Sequence, residues 1–279
     1  MQSHKKNGDF GLRFFVFSIE FWGLFCYNEV NSYREDVKMD VKKIKLIAMD
    51  LDGTLSQHKQ PLPAANRAAL EALSKKYKLV MVGAGQVMRI FNQMEHFPLD
   101  IIGNYGLQCG KYNAQTGEMD MVRDEVFPCD RESVTERVEY FRQKYGFTAY
   151  AGDSVEFHPS GCVTFAVLGT KAVAADKLAF DPDRAKRRAI YDEVVAAFPE
   201  YVVFVGGSSS FDMAPKPYNK YHALDLYCKE LGLAHDEVVF IGDDYGLGGN
   251  DESVYRSDFN YLTIDNYEDF PQVVASLLA

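Results

Sequence analysis

Two apolar runs, each ending in acids, constrain this chain most. Ile44-Lys45-Leu46-Ile47-Ala48-Met49 leads directly into Asp50-Leu51-Asp52-Gly53-Thr54. Far downstream, Val238-Val239-Phe240-Ile241 leads into Gly242-Asp243-Asp244, followed by Gly249-Asn250-Asp251. Runs of this kind read as strands of a parallel sheet, buried on both faces. Open α/β sheets bind ligands at the carboxyl ends of their strands. Two such strands lying side by side would share one acidic pocket. Gly53 lets the chain turn away at once, and a turn starting at Asp52 can bring Asp50 and Asp52 together. A solvated Asp-Gly turn would explain the first cluster alone; the second cluster argues against it.

Two carboxylates about 4 Å apart repel by roughly 4 kcal/mol at an effective dielectric of about 20. Three or four converging there need a cation. An oxygen-only donor set with few members suits Mg²⁺, which takes one or two carboxylates and keeps several waters. No His or Cys adjoins either cluster, which argues against zinc. One carboxylate of such a pair can attack phosphorus while the other moves a proton.

Asp50-Leu51-Asp52-Gly53-Thr54 resembles the first motif of the haloacid dehalogenase superfamily. Gly242-Asp243-Asp244 with Gly249-Asn250-Asp251 is similar to its last, acidic motif. Lys220, in Tyr218-Asn219-Lys220-Tyr221-His222-Ala223-Leu224, resembles the lysine motif of the Cof-type, sugar-phosphatase-like branch. The resemblance spans Ile44 to the C-terminus. It implies that Asp50 is a nucleophile forming an aspartyl-phosphate. Asp52 would be the acid and base, with a pKa raised by acidic neighbours. Mg²⁺ would be held by Asp50, the Asp52 carbonyl, Asp243 and Asp251. Lys220 would neutralise the phosphoryl oxygens and pair with Asp50. Thr54 and Asn250 would orient the phosphate and the acids. Asp244 is open between a ligand, a supporting acid and a solvated loop residue.

A closer resemblance is to the eukaryotic-type phosphomannomutases. It rests on Phe204-Val205-Gly206-Gly207-Ser208-Ser209-Ser210-Phe211-Asp212-Met213-Ala214-Pro215 and on the long acidic motif through Asp251. It implies that Ser210 and Asp212 reach the substrate. Two departures matter. Where that family carries cap arginines for a distal phosphate, this chain has His158 and Thr170. Bidentate arginine suits a bisphosphate, so their loss argues for a phosphatase over a mutase. The superfamily's second motif places a hydroxyl after a strand, but Leu79-Val80-Met81-Val82 ends in Gly83-Ala84-Gly85-Gln86. Backbone N–H groups near Gly85, or the Gln86 side chain, would have to substitute. Asn104-Tyr105-Gly106 resembles a turn near the family's active site and equally fits an ordinary β-turn.

The chain has 279 residues, 47% of them hydrophobic, enough for one large or two modest domains. Its net charge is −10 with no basic block, which excludes nucleic acid as a natural partner. Five dispersed cysteines without a CxxC read as reduced thiols in a cytoplasmic protein. The expected partner is a small phosphorylated metabolite, with no membrane involved. The apolar stretch from Phe14 to Cys26 is broken by Glu20, lacks an A-x-A site and falls short of a span. Residues 1–40 are read as an extension, disordered or not native, with Met39 a natural start.

The predicted fold is α/β: a doubly wound parallel sheet, as in the haloacid dehalogenase core, with a smaller α+β cap. The core is expected to be 41–123 and 214–279, the cap 124–213. Predicted helices cover Asn66–Lys76, Val87–Met94, Ser133–Tyr145 with Ser133 as N-cap, Arg184–Phe198 and Tyr221–Leu231. Cap strands are expected at Ser154–Phe157, Cys162–Leu168 and Tyr201–Val205. Arg184, Lys186, Arg187 and Arg188 read as a solvated helix face in preference to a phosphate patch. The function expected is Mg²⁺-dependent hydrolysis of a small phosphate ester. Phosphomannomutase activity and a non-catalytic sugar-phosphate-binding role are the alternatives.

Overall fold

Leu46 to Met49 form a strand with every residue buried, as the apolar run requires. The structure, a computed structural model, describes residues 39–279. The extension expected over 1–40 therefore lies, apart from its last two residues, outside the described residues. In chain order the elements begin with β1 (Leu46–Met49), α1 (Ala64–Leu73), β2 (Lys78–Val82), α2 (Val87–Gln93), β3 (Asp100–Gly103), β4 (Gln108–Asn113) and β5 (Glu118–Asp124). Next come α3 (Arg131–Tyr145), β6 (Val155–Phe157), β7 (Val163–Ala166), α4 (Ala174–Phe180), α5 (Ala185–Arg188), α6 (Tyr191–Ala197), β8 (Tyr201–Phe204) and β9 (Ser210–Pro215). The chain closes with α7 (Lys220–Leu231), β10 (Val238–Gly242), α8 (Glu252–Tyr255), β11 (Asn260–Thr263), α9 (Phe270–Val273) and α10 (Ala275–Leu278).

The strands form two sheets. The seven-stranded one has the order β11-β10-β1-β2-β3-β4-β5. Its first five strands are parallel, and β4 and β5 extend it as an antiparallel hairpin. Parallel neighbours need long crossovers, which the helices supply. In the register, Met49 of β1 lies beside Ile241 of β10. Both acidic segments therefore leave the sheet at the same edge. On one face, Ala223, Leu224 and Tyr227 of α7 pack against Leu46, Ala48 and Val80. That packing carries the first residue of α7, Lys220, to the acidic edge.

The second sheet is antiparallel, in the order β6-β7-β9-β8. Alternation sorts its two faces. Val163, Phe165, Phe211 and Met213 join a core with Val134, Val138 and Phe141 of α3 and Val194 of α6. The intervening residues Thr164, Ser210 and Asp212 take the opposite face. This is an open-faced sheet covered by helices, as the cap of the predicted fold demands.

Several local expectations fail for identifiable reasons. The N-cap of α3 is Asp130, not Ser133: the Ser133 N–H donates to Asp130 Oδ1 at 3.1 Å. The single helix expected over 184–198 is broken. Arg184 has φ of 60°, and α5 ends at Arg188 before α6 begins at Tyr191. Arg187 is no solvated residue. It is fully buried, with Nε 2.8 Å from Asp181 Oδ2 and Nη1 donating to the carbonyls of Gly206 and Ser210. Strand β9 and helix α4 were not anticipated.

Candidate active site

The acidic edge of the large sheet assembles four side chains from three elements. Asp50 follows β1, and its N–H donates to the Ile241 carbonyl at 3.0 Å. Asp243 follows β10, and Asp251 lies one loop further on. Lys220 Nζ stands 2.8 Å from Asp50 Oδ1 and 2.7 Å from Asp251 Oδ1. One oxygen from each of Asp50, Asp243 and Asp251 lies within 4.8 Å of the other two. Thr54 Oγ1 donates to Asp243 Oδ1 at 2.9 Å. Gly53 has φ of 99°, and a Cβ there would fall 2.4 Å from Asp243 Oδ2, so this turn requires glycine.

The electrostatics follow from burial. Burial pushes the Asp50 carboxyl well above its ordinary range, and Asp251 and Asp243 add to it against the pull of Lys220. Asp243 rises to about 6, from burial first and then from Asp251. Asp251 is also raised by burial, with Lys220 opposing. Burial lowers Lys220, but Asp251 and Asp50 overcome it and keep the ammonium charged. One ammonium thus faces three carboxylates.

Asp244 is neither solvated nor part of that cluster. Its N–H donates to Asp251 Oδ2 at 3.0 Å, and its Oδ2 accepts the Asn250 N–H at 3.1 Å. Its other oxygen accepts the guanidinium of Arg184 from the small sheet's side. Asp244 therefore shapes the acidic loop and ties it to α5.

Asp52 departs from expectation. Its neighbours are donors, not acids. Gln93 Nε2 and the Lys59 N–H donate to Oδ1 at 2.7 and 2.8 Å. Arg89 Nη2 lies 3.3 Å from Oδ2, and His58 Nδ1 3.8 Å. Burial raises the carboxyl, but the Gln93 and Lys59 hydrogen bonds and the charges of His58 and Arg89 outweigh it. The net shift is downward.

A cleft of about 620 Å³ separates the acidic edge from the polar face of the small sheet. Asp50, Asp243, Gly85, Asn104 and Asn250 line its core side. Ser210 and Asp212 line the opposite wall. Thr164 lies directly across from Asp212 in the β7–β9 register. The pair shares a hydrogen bond, Thr164 Oγ1 to Asp212 Oδ1 at 3.0 Å, and His158 Nε2 lies 3.2 Å from the same Thr164 oxygen. Ser210 Oγ donates to Asp212 Oδ1 at 3.3 Å. Thr54 does not line the cleft: it is fully buried and turned to Asp243. Lys220 and Asp251 are also fully buried, beneath the cleft floor.

Sequence reasoning missed His58, Lys59, Arg89 and Lys177 in this cleft, and set Arg184 aside as part of a solvated face. His58, Lys59 and Arg89 line its core side, and Lys177 and Arg184 the other. Arg89 sits four residues after Gly85 on a helix, a spacing that returns its side chain over that glycine. The expectation that no His adjoins the first cluster does not hold: His58 follows that motif closely and its Nδ1 lies 3.8 Å from Asp52 Oδ2, with Lys59 beside it.

A family model described as haloacid dehalogenase-like hydrolase matches residues 163–251. A phosphomannomutase of Encephalitozoon cuniculi (strain GB-M1) is 23% identical over 239 residues, covering 80% of this chain and 90% of that one. The N-terminally truncated, IMP-bound IMP-nucleotidase of Plasmodium falciparum has a TM-score of 0.61 at 14% identity, covering 91% of this chain and 79% of that one. A haloacid dehalogenase-like hydrolase from B. subtilis has a TM-score of 0.56 at 15% identity, covering 82% and 92%. Sheet order, acidic edge and these likenesses all support the haloacid dehalogenase superfamily as the group this chain resembles. Within that group, the matched family model and the phosphomannomutase relatives support similarity to the Cof type, near the phosphomannomutases.

Proposed function

We propose that this chain is a Mg²⁺-dependent phosphatase of small phosphate esters, a sugar monophosphate being the substrate class, working through an aspartyl-phosphate on Asp50. The observation that carries the reading is Asp50 itself. It is a buried carboxylate at a strand's carboxyl end, paired with Lys220 and opening onto a cleft lined by hydroxyls and bases. Cytoplasmic location belongs to the same proposal; Cys109, Cys129, Cys162 and Cys228 are free thiols.

The residues present fit Mg²⁺. Asp50, Asp243 and Asp251 offer hard oxygen donors alone, and their combined charge exceeds that of Lys220. Asn250 Oδ1, buried in the same loop, has no hydrogen-bond partner among the described residues. Asp50, Asp243 and Asp251 would hold the ion, with the Asp52 carbonyl. Bound there, it would neutralise charge developing on phosphoryl oxygens.

The chain's own groups perform the rest. An Asp50 oxygen attacks phosphorus, and the bond from phosphorus to the ester oxygen breaks. Asp52 gives its proton to the leaving alcohol. Water then attacks the aspartyl-phosphate, Asp52 takes the water's proton, and inorganic phosphate leaves with Asp50 regenerated. Asp52 rests ionised among Gln93, Lys59 and Arg89, which is the form needed for the second half. Its acid role requires it to take up a proton from solvent and turn from those donors toward the ester before the alcohol leaves, and the proton it takes from water in the second half restores that acid form. Lys220 opposes the burial that raises Asp50 and so favours its ionised, nucleophilic form.

Phosphomannomutase activity is the second reading. Its support is the curated relatives together with Lys177 and Arg184, which bring positive charge to the cleft although His158 and Thr170 stand where arginines were expected. Arg184 is paired with Asp244, and Lys177 Nζ donates to the Thr170 carbonyl at 3.3 Å. The test is phosphate release from a panel of sugar monophosphates with Mg²⁺ and with EDTA. Mg²⁺-dependent release supports the phosphatase. Isomerisation of a hexose monophosphate that needs a hexose bisphosphate, without release, supports the mutase.

A further inference from the structure

Arg89 projects from α2 into the cleft that Asp50 and Asp243 line. Its guanidinium lies over Gly85: a Cβ on that glycine would come within 2.3 Å of both Nε and Nη2. The space that any larger residue at 85 would occupy is the space the guanidinium fills. Nη1 donates to Gln93 Oε1 at 2.8 Å, which fixes the fork from one side. The other arm makes a long, 3.3 Å contact with Asp52 Oδ2, and 40% of the side chain remains open to solvent. His58 and Lys59 line the same part of the cleft. Lys220, by contrast, is fully buried and lies against two carboxylates.

We propose that Arg89 binds the phosphoryl group of the substrate at the cleft mouth, and that glycine at position 85 exists to seat its guanidinium there. The proposal rests on the phosphatase reading for its substrate but not for its test. A phosphoryl dianion entering above Asp50 meets three carboxylates and one committed ammonium, and a cation held by those carboxylates would reach only its inner oxygens, so its outer oxygens gain from a cation facing the cleft. A guanidinium presents a planar fork that matches two phosphate oxygens, which a point charge does not. On arrival the phosphoryl group takes the arm now resting on Asp52. That exchange removes one of the contacts that hold Asp52, leaving its other oxygen with Gln93 and the Lys59 N–H.

The experiment is titration calorimetry of inorganic phosphate into the full chain with Mg²⁺, alongside KM and kcat on any ester it cleaves. Arg89→Met is expected to bind phosphate at least about tenfold more weakly, and to raise KM by more than it lowers kcat. Arg89→Lys should fall between it and the wild type. Gly85→Ala keeps the arginine but displaces its flexible end, and should show the same weakening with an unchanged melting temperature. In an Asp52→Asn background, Arg89→Met should still weaken phosphate binding. Wild-type affinity in Arg89→Met, or an effect that vanishes in the Asp52→Asn background, would overturn the proposal, as would a wild type that binds no phosphate. A wild type that binds phosphate through Arg89 but hydrolyses no ester would sink the phosphatase reading alone.

Discussion

Lys220 Nζ lies 2.8 Å from Asp50 Oδ1 with none of the lysine's surface open to solvent. Asp251 holds the same ammonium at 2.7 Å. Removing the lysine leaves buried carboxylates facing one another without compensation. Lys220→Met is expected to lower the unfolding free energy by about 3–5 kcal/mol. The loss should be larger in EDTA than with Mg²⁺, because a divalent cation at Asp50, Asp243 and Asp251 offsets the same repulsion. Urea unfolding in the two media checks this; equal losses would argue against a cation at the cluster.

The buried pair Arg187–Asp181 holds the small sheet's glycine turn and gives a pH signature. Asp181 is pushed up by burial, but the Arg187 hydrogen bond and the N–H groups of Lys186 and Arg187 more than reverse this, so its pKa lies below the ordinary value. A carboxylate depressed in the folded state stabilises above its unfolded pKa, about 3.9, and loses that contribution as pH falls through the lower folded value. Asp181→Asn should cost about 3–5 kcal/mol at neutral pH, from the uncompensated Arg187. The gap between variant and wild type should narrow below about pH 4. Denaturant unfolding across pH measures it, and a gap that widens with acid would contradict the assignment.

His158 and Thr170 both line the cleft, on the wall opposite Asp50. If their side chains decide against a second phosphate, the double variant His158→Arg, Thr170→Arg should bind a hexose bisphosphate about tenfold or more tightly than the wild type, roughly 1.4 kcal/mol or more. Competition against a cleaved monophosphate would read the change. No gain would mean that discrimination lies elsewhere in the cleft.

The strands that end in acids were legible because burial on both faces leaves no polar alternation to confuse them. Leu46–Met49 and Val238–Gly242 are buried throughout, and their pairing brings the two acidic segments to one edge. Lys220 was legible through its motif, with Asn219 accepting the His222 N–H at the helix start. Asp52's surroundings were not legible, since Gln93 and Arg89 read as ordinary positions on an amphipathic helix. Nor was the break between α5 and α6. The run from Arg184 to Arg188 has the charge of a solvated face, and only the tertiary contacts of Arg187 with Asp181, Gly206 and Ser210 reverse it. Strand β9 was hidden because Ser210 and Asp212 break its apolar pattern on the cleft-facing side.

The most direct test of the account compares phosphate release by the wild type and by Asp50→Asn, with Mg²⁺, on the best ester from the panel. The amide cannot attack phosphorus, so release should fall by at least about 10³-fold. The fold should persist, since Lys220 keeps its partner Asp251. Undiminished release from a folded Asp50→Asn protein would contradict the central claim.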